Sequence, residues 1–359
     1  MDKVQTCLQV LEKRIADGDL FLKGQMPSER RLTAELGVSR TTVRKALKIL
    51  LEEGTLEREG RRRARIRKAD VAQARVPTIA FLVPAVFSSD HGLWWDGVNT
   101  ALEGSDVILR PISYVRFEDP TVHEAVSNYD ALFLIPPAQK IPAWLAHKMR
   151  ESSCRIAVLD QDESAQGFVS VKFFPPSADT KLLSHLRALG HQRIDCLNTQ
   201  REDAVIQERV AAWQTFLRES GIPGVLRSQP TGKPLSGAYE YVARLLREGH
   251  LLATALYCTT GPCAIGAMRA LKDAGLEIGR DVSVCAVNDE GIGRFLLKAL
   301  TALEAQPRSY FLRQVTDWML SGEAWKGPLL IQPGDAPLFE GETVGAAPRG
   351  GTYMVARRR

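Results

Sequence analysis

Hydrophobic residues near the N-terminus recur three or four positions apart, and this spacing predicts three short amphipathic helices. Their apolar positions are Val4, Leu8, Leu11 and Ile15 in the first, Leu32 and Leu36 in the second, and Val43, Ala46, Leu47 and Leu50 in the third. Ser28 and Ser39 precede the second and third segments and can cap them, and Gly37 lies in the turn between the two. Two short helices joined by a turn that contains glycine predict a helix-turn-helix.

A hairpin and a linker are predicted after the third helix. Residues 55–58 and 64–66 flank a short basic segment, which predicts two strands joined at a basic tip. Residues 69–77 are small and polar and end in proline, a composition typical of interdomain linkers.

Beyond residue 77 short apolar runs alternate with segments of helical periodicity. The predicted strands are 78–83, 131–135, 155–159, 193–197, 255–258 and 282–287, and the predicted helices lie around 94–103, 142–151, 178–189, 207–219, 236–248 and 262–274. Such alternation predicts parallel sheets with helices on both faces. Because about 270 residues exceed what one core usually carries, two α/β lobes are predicted rather than one.

The formal charge of +5 is unevenly distributed along the chain. Residues 1–70 hold 17 Lys and Arg against 11 Asp and Glu, whereas the remaining residues hold 30 against 31. Between residues 58 and 68 seven of eleven side chains are basic. This concentration in one small segment indicates a polyanionic partner such as nucleic acid.

The third predicted helix carries cationic and hydroxyl side chains on the side opposite its apolar stripe. Arginine can pair with guanine edges, whereas hydroxyls and a helix N-terminus can hold phosphates. The residues predicted to contact DNA are Ser39, Arg40, Thr41, Thr42, Arg44 and Lys45 in this helix and Arg61, Arg62 and Arg63 at the basic tip. The alternative is a solvated helix face, but the basic segment that follows favours DNA contact.

Other classes of protein are disfavoured. Six scattered cysteines, without CxxC pairs or metal-ligand spacing, predict a reduced cytoplasmic protein with no metal site. No apolar run approaches the roughly 18 residues of a membrane helix, and the first residues lack a signal-peptide core. Walker A, GxSxG, HExxH and GxGxxG patterns are absent from the sequence, so no catalytic residue and no cofactor are predicted.

The N-terminal motifs resemble those of the GntR-type winged helix-turn-helix. The matching segments are Met26–Arg30, Leu32–Thr33, Leu36–Leu47 and Glu53–Gly54, followed by the basic tip. The resemblance implies that Arg30, together with helix residues already named, contacts operator DNA, and that Gly60 and Arg61 lie in a wing that enters the minor groove. Two positions depart from the family pattern: Lys23 replaces a usual proline, and residues 60–64 read GRRRA instead of beginning Gly-x-Gly-Thr.

Residues 78–345 resemble the two-lobed sensor of LacI-type repressors, which is similar to periplasmic sugar-binding proteins. The matching segments include Ile79–Pro84, Asp130–Leu134, Ile156–Asp160, His185–Ile194, Arg209–Trp213, Ala264–Leu271 and Asp281–Val284. The segment at 185–194 is close to the family's HL…LGH-x-x-I signature. A GntR-type head joined to a LacI-type sensor is the AraR-like arrangement of sugar-responsive repressors.

The effector site is predicted between the two lobes. Ligands of open α/β sheets bind beyond the carboxyl ends of the strands, so residues that follow strands are candidates. These are Ser88, Asp90, His91, Asp160, Thr260, Asn288 and Asp289. The resemblance adds Arg209 as the family's effector-binding arginine. Arginine with Asp and Asn groups suits the vicinal hydroxyls of a polyol.

Several of these candidates have structural alternatives. Arg209 could pair with Glu208 or Glu202 on the surface, Asp160 could cap a turn, and His91 could be a solvated loop residue. Two pairs also depart from the family pattern. Thr260-Gly261 stands where Asn-Asp is common, and Asn288-Asp289 stands where Asp-Asp is frequent. A degenerate or non-sugar effector site therefore stays open.

Together these patterns predict an α/β fold, with a two-lobed periplasmic-binding-protein-like sensor and a small N-terminal winged helix-turn-helix domain. The predicted organisation is a DNA-binding domain at 1–68, a linker at 69–77, the sensor at 78–345 and a basic tail at 346–359. The predicted function is that of a cytoplasmic homodimeric repressor without a membrane partner, which binds double-stranded operator DNA and a small carbohydrate effector. An enzyme with a GntR-type head is the disfavoured alternative.

Overall fold

A computed structural model describes residues 3–16, 27–53, 55–59, 63–66, 76–86, 88–250 and 252–349. The chain divides into two compact units, residues 1–77 and residues 78–359, called here the DNA-binding unit and the sensor unit.

The described residues of the DNA-binding unit form three helices and a two-stranded antiparallel sheet. These elements are α1 (Lys3–Ala16), α2 (Glu29–Leu36), α3 (Arg40–Glu52), β1 (Leu56–Glu59) and β2 (Arg63–Ile66). The predicted apolar positions form its core, where Leu11, Leu32 and Leu50 have no exposed surface. The predicted helix-turn-helix and hairpin are confirmed.

Caps fix the ends of the two central helices of this unit. The Ser28 hydroxyl accepts the backbone N–H of Arg31 at 3.3 Å, and the Ser39 hydroxyl accepts that of Thr42 at 3.2 Å. Gly37 ends α2 at φ +65°, a left-handed conformation that suits glycine. Both caps were predicted, and together with the glycine they set where α3 begins.

The first lobe of the sensor unit is a six-stranded parallel sheet covered by helices. Its elements are β3 (Thr78–Pro84), α4 (Ser89–Ala101), β4 (Ile108–Tyr114), α5 (Pro120–Asn128), β5 (Ala131–Leu134), α6 (Ala143–Glu151), β6 (Arg155–Leu159), β7 (Val169–Val171), α11 (Arg308–Ser321) and β13 (Leu330–Ile331). The strand order is β13-β7-β6-β5-β3-β4. Two hydrophobic clusters, one on each side of this sheet, form the core of the lobe.

The second lobe has a six-stranded sheet of the same kind with one antiparallel edge strand. Its elements are α7 (Pro176–Ala188), β8 (Asp195–Asn198), α8 (Ala204–Ser220), β9 (Leu226–Ser228), α9 (Pro234–Arg247), β10 (Ala255–Cys258), α10 (Gly261–Asp273), β11 (Ser283–Val287), β12 (Thr301–Leu303) and β14 (Leu338–Phe339). The strand order is β14-β12-β11-β10-β8-β9, in which β14 is antiparallel to β12. The chain crosses between the lobes after β7, after β12 and after β13. The predicted two-lobed α/β architecture is confirmed.

The last strand of the sensor unit is short, because β14 spans only Leu338–Phe339. The backbone N–H of Ala347 donates to the carbonyl of Leu189 at 2.9 Å, so residues assigned to the basic tail still contact the second lobe. Residues 350–359 of that tail and 69–75 of the linker lie outside the described residues.

Close packing of α9 against α10 requires a glycine in α10. A Cβ atom at Gly266 would lie 2.1 Å from the carbonyl oxygen of Leu235 and 2.8 Å from the Cβ atom of Ala238. The carbonyl belongs to the backbone of the neighbouring helix and cannot move aside without shifting that helix.

Gly266→Ala is expected to destabilise the sensor unit by about 1–3 kcal/mol, because overpacking forces backbone shifts. Urea unfolding followed by far-UV circular dichroism measures the effect. The matched control is Gly92→Ala in α4, where a Cβ atom meets nothing within 4 Å. The control should keep or raise the urea midpoint of the sensor unit, since alanine favours a helical conformation more than glycine does. Equal midpoints for the two variants would contradict the packing argument.

Candidate functional site

The exposed face of α3 carries most of the predicted DNA contacts. Arg40, Thr41, Arg44 and Lys45 are exposed there, and Thr42 is half-buried beside the Ser39 cap. The Ser39 and Thr42 hydroxyls are 2.8 Å apart and hydrogen-bonded. This arrangement presents cations and hydroxyls at a helix N-terminus, which is a favourable place for a phosphate group.

Glu29 pairs with two of these arginines, which sequence reasoning missed. Its carboxylate accepts from Arg40 Nε at 2.9 Å and from Arg44 Nη2 at 3.0 Å. Hydrogen bonds from Arg44 and then Arg40 hold the pKa of Glu29 below its usual range. Both arginine side chains remain more than 60% exposed, so these pairs can exchange for a phosphate.

The other predicted DNA contacts are only partly described. Arg30 is exposed in the first turn of α2, and Arg63 begins β2. Gly60, Arg61 and Arg62 lie outside the described residues.

In the sensor unit the predicted Asp90 forms a buried ion pair with Arg308, which was not predicted. Arg308 begins α11 and places its guanidinium 4.5 Å from the Trp94 ring centroid and 5.3 Å from that of Phe173. Burial disfavours the Asp90 carboxylate. The charge and hydrogen bond of Arg308 and a hydrogen bond from Asn288 nevertheless hold its pKa below the usual value.

Polar contacts join the lobes across the cleft, among them the ion pair of Lys172, after β7, with Glu208 in α8. Asn288, after β11, donates its amide to the Asp90 carboxylate at 2.9 Å. The Ser89 hydroxyl of the first lobe donates to Glu290 of the second lobe. Burial raises the pKa of Glu290 to about 7. Asn288 and Glu290 have left-handed backbone conformations, with φ of 60° and 53°, which aim this loop at the first lobe.

The predicted residues Asp160 and Arg209 line one cavity between the lobes, the Asp160 cavity. It is lined by Asp160, Lys172, Phe173, Phe174, Pro176, Asp179, Val205, Glu208 and Arg209. Arg209 is 7% exposed, donates to the carbonyl of Thr259 at 2.7 Å and lies over the Phe174 ring. Within the described residues Arg209 pairs with neither of the two predicted partners, Glu208 and Glu202. Glu208 is instead the partner of Lys172 at 2.5 Å.

Asp160 follows β6 in a left-handed conformation, with φ of 70°. Burial and then the charge of Asp90 raise the pKa of Asp160 to about 7, against a weaker lowering effect of Arg209. Its carboxylate makes no turn-capping hydrogen bond within the described residues. The cap of the turn that follows is provided by Asp162, whose carboxylate accepts the N–H of Ser164 at 3.0 Å.

The remaining effector candidates occupy different environments. Asp289 uses both carboxylate oxygens on its own loop, accepting the N–H groups of Gly291 and Gly293 at 3.0 Å. Thr260 is buried at the start of α10, and its hydroxyl has no hydrogen-bond partner among the residues that the structure describes. His91, in the first turn of α4, has a pKa lowered chiefly by burial. Ser88 precedes α4 without a side-chain capping bond.

The cleft residues that sequence reasoning missed follow short strands. Lys172 and Phe173 come after the three-residue β7, and Arg308 comes after the three-residue β12. The rule that ligand-facing residues follow strands points to these positions once the strands are recognised.

Two family models match the chain. Residues 4–66 match the model described as bacterial regulatory proteins, gntR family. Residues 183–311 match a periplasmic binding protein-like domain. The chain therefore combines a GntR-type helix-turn-helix domain with a periplasmic-binding-protein-like domain, and the predicted resemblance to these two kinds of domain is confirmed.

Curated relatives are transcriptional regulators. The lactose operon repressor of Escherichia coli (strain K12) is 29% identical over 186 residues, which cover 50% of this chain and 51% of that protein. The Bacillus subtilis (strain 168) protein described as "Probable HTH-type transcriptional repressor ExuR" is 23% identical, over 62% of this chain and 67% of the relative. The chain thus spans about half the length of the first relative and two thirds of the second.

Solved structures share the fold. The lac repressor dimer bound to operator and the anti-inducer ONPF has a TM-score of 0.65 at 20% identity, covering 78% of this chain and 99% of that chain. A LacI family regulator from Enterococcus faecium, solved with bound ribose, has a TM-score of 0.63 at 18% identity, covering 76% and 100%. Within the described residues, no helix is long and apolar enough to cross a membrane, and no cluster of His, Cys, Asp and Glu could hold a metal ion.

Glu29→Gln is expected to raise affinity for duplex DNA about two- to tenfold at low salt. The substitution removes the carboxylate that competes with phosphate for Arg40 and Arg44, and exposed pairs are worth about 1 kcal/mol or less each. Fluorescence anisotropy with a random-sequence duplex measures the change. The control is Glu35→Gln, which removes the partner of Arg31 on the same helix. Unchanged or weaker binding by the Glu29 variant would show that Glu29 does not compete with DNA.

Glu290→Gln is expected to change how stability depends on pH. The folded protein keeps the Glu290 proton up to about pH 7, whereas an unfolded glutamate loses it near pH 4.5, so the wild type binds more protons when folded. The free energy of unfolding of the wild type should therefore fall, relative to the variant, by about 1–3 kcal/mol between pH 5 and pH 7. Urea midpoints across this range measure the difference. The urea midpoint of the exposed control Glu219→Gln should depend on pH as that of the wild type does. The same pH dependence for the Glu290 variant and the wild type would contradict the prediction.

Proposed function

We propose that the protein is a ligand-responsive, DNA-binding transcriptional repressor that acts in the cytoplasm as a homodimer. The observation that carries the proposal is that one chain joins a basic GntR-type helix-turn-helix to a two-lobed unit with a polar cavity at its strand ends. The curated relatives named as repressors support the same role. The proposed partners are double-stranded operator DNA and a small carbohydrate effector.

The two lobes offer a physical route for ligand response. Among the described residues, the polar contacts across the cleft include Asn288 with Asp90, Ser89 with Glu290 and Lys172 with Glu208. A ligand that contacts both lobes would favour the interlobe angle at which it binds more tightly. The size of the shift depends on the difference between its affinities for the two angles. In a dimer, such a change would alter the spacing of the two DNA-binding units relative to the operator half-sites.

Arg44→Ala is expected to weaken binding to a selected operator by about five- to a hundredfold, because an arginine that pairs with a base or phosphate is lost. The operator is first isolated by selection from fragmented genomic DNA and then titrated by gel shift at several salt concentrations. The salt slope should fall by about 1 if Arg44 binds a phosphate.

Arg269→Ala is the matched control for this loss of positive charge. Arg269 is 71% exposed in α10 of the sensor unit and pairs with Asp273. Equal operator affinity for the two variants would exclude α3 as the DNA-contacting helix, and failure to select any DNA at low salt would overturn the proposed function.

A further inference from the structure

The loop between β11 and β12 carries the two most exposed large apolar side chains among the described residues. Leu297 and Phe295 are 103% and 79% exposed, and Ile292 in the same loop is 42% exposed. A large apolar side chain has roughly 200 Å² of surface, so the three together expose roughly 450 Å². Apolar patches of this size commonly mark interaction sites on soluble proteins. This loop, residues 288–300, is called here the Phe295 loop.

A groove of about 460 Å³ lies beside the Phe295 loop. Its lining comes from α4 in the first lobe, from the loop in the second lobe and from the crossover between β12 and α11. The loop contributes Gly291 and Arg294, which flank Ile292 in the sequence, and the exposed Phe295 follows directly. The apolar side chains of the loop therefore stand at the edge of the groove.

The protrusion and the recess lie on the same face of the sensor unit, because the loop that carries the apolar side chains also lines the groove. In a two-fold symmetric dimer each copy presents the same surface to the other, so a protrusion next to a recess is complementary to itself. A recess on another face would instead favour open chains of copies, which do not close. The arrangement fits a second copy of the chain.

The charges on the two sides of the groove are complementary in the same way. Asp96 on α4 is exposed and has neither an ion pair nor a hydrogen bond within the described part of the chain. Arg294 lies on the Phe295 loop, and its side chain is 49% exposed in a pair with Glu304. Such exposed pairs are weak and can exchange partners. A loop seated in the groove of another copy brings its Arg294 toward Asp96 of that copy.

The apolar surface of the loop also agrees with what a stable dimer buries. A standard interface buries about 800 Å² on each partner, and about 65% of it is apolar in homodimers, which amounts to about 500 Å². The Phe295 loop alone supplies roughly 450 Å² of this apolar surface. A small molecule bound in the groove would leave most of that surface in water, because the apolar side chains stand at the edge of the groove.

We propose that this face binds a second copy of the chain about a two-fold axis, with the Phe295 loop of each copy seated in the groove of the other. The inference rests on the proposed function, since it assigns the surface through which the homodimer forms. Because the groove takes its lining from both lobes, the seated loop contacts both of them. A change in the interlobe angle therefore changes the seat of the neighbouring copy.

A pair of substitutions in the loop tests the surface. Phe295→Asp combined with Leu297→Asp should raise the dimer dissociation constant of the full chain about a hundredfold or more, because two charges are then placed in an apolar contact. Sedimentation velocity over a range of concentrations measures the constant, and far-UV circular dichroism checks that the variant is folded. The matched control is Leu226→Asp on β9, an edge strand three strands away from β11, which should dimerise as the wild type does.

Two single variants test the seating of the loop in the groove. Asp96→Arg and Arg294→Asp should each weaken its own homodimer, because like charges then meet twice across the two-fold axis. Mixed together, the two variants should form a heterodimer at least about fivefold tighter than either homodimer, since both contacts then join opposite charges. Sedimentation of the mixture, with one variant carrying a fluorescent label, measures this preference. Arg218→Asp, which alters an exposed arginine of α8, replaces Arg294→Asp in the control mixture and should give no preference.

Three outcomes would overturn the inference: a dimer that survives the two loop substitutions unchanged, mixed variants without a preference for the heterodimer, or a wild type that is a monomer. Operator binding, measured on the same samples, keeps the proposed function separate. A wild-type dimer that binds operator and ignores the loop substitutions would retain the proposed function and place the interface elsewhere. Absence of DNA binding would reject the proposed function itself.

Discussion

The cleft depends on the buried ion pair between Arg308 and Asp90. Arg308 begins α11 and Asp90 lies in the first turn of α4, and these helices approach closely because Gly97 has no side chain. A Cβ atom there would lie 2.7 Å from the Cβ atom of Arg308. The pair holds the carboxylate that accepts the amide of Asn288 from the second lobe. The loss of either partner would leave a buried charge uncompensated, so the ion pair keeps the Asp90 carboxylate of the first lobe in one position.

Distribution of charge follows the division of the chain into two units. The positive excess lies in the first 70 residues, where it can attract a polyanion over several ångströms. The sensor unit is close to neutral, and two of its buried cations, Arg308 and Lys172, pair with Asp90 and Glu208. The same total charge thus describes one basic unit suited to a large anionic partner and another without an excess of positive charge.

Local patterns predicted the DNA-binding unit well, whereas the cleft was predicted only in part. Helix periodicity and serine caps depend on residues within four positions of one another, so α1 to α3 could be read from the sequence. Arg308 and Lys172 were missed because β12 and β7, the strands before them, have only three residues, too few to establish a periodic pattern. Asp289 was predicted to face the effector, but sequence cannot show that its carboxylate is occupied by its own loop.

Both candidate sites place arginine beside a carboxylate, but solvent exposure gives the two arrangements different consequences. Arg40 and Arg44 share Glu29 at an exposed surface, where water and salt weaken the attraction and a phosphate can take the place of the carboxylate. Arg308 pairs with Asp90 where both side chains are at most 13% exposed, and exchange there would require a charge to be buried alone. The exposed arginines are therefore available for binding DNA, whereas the buried one serves to position the cleft.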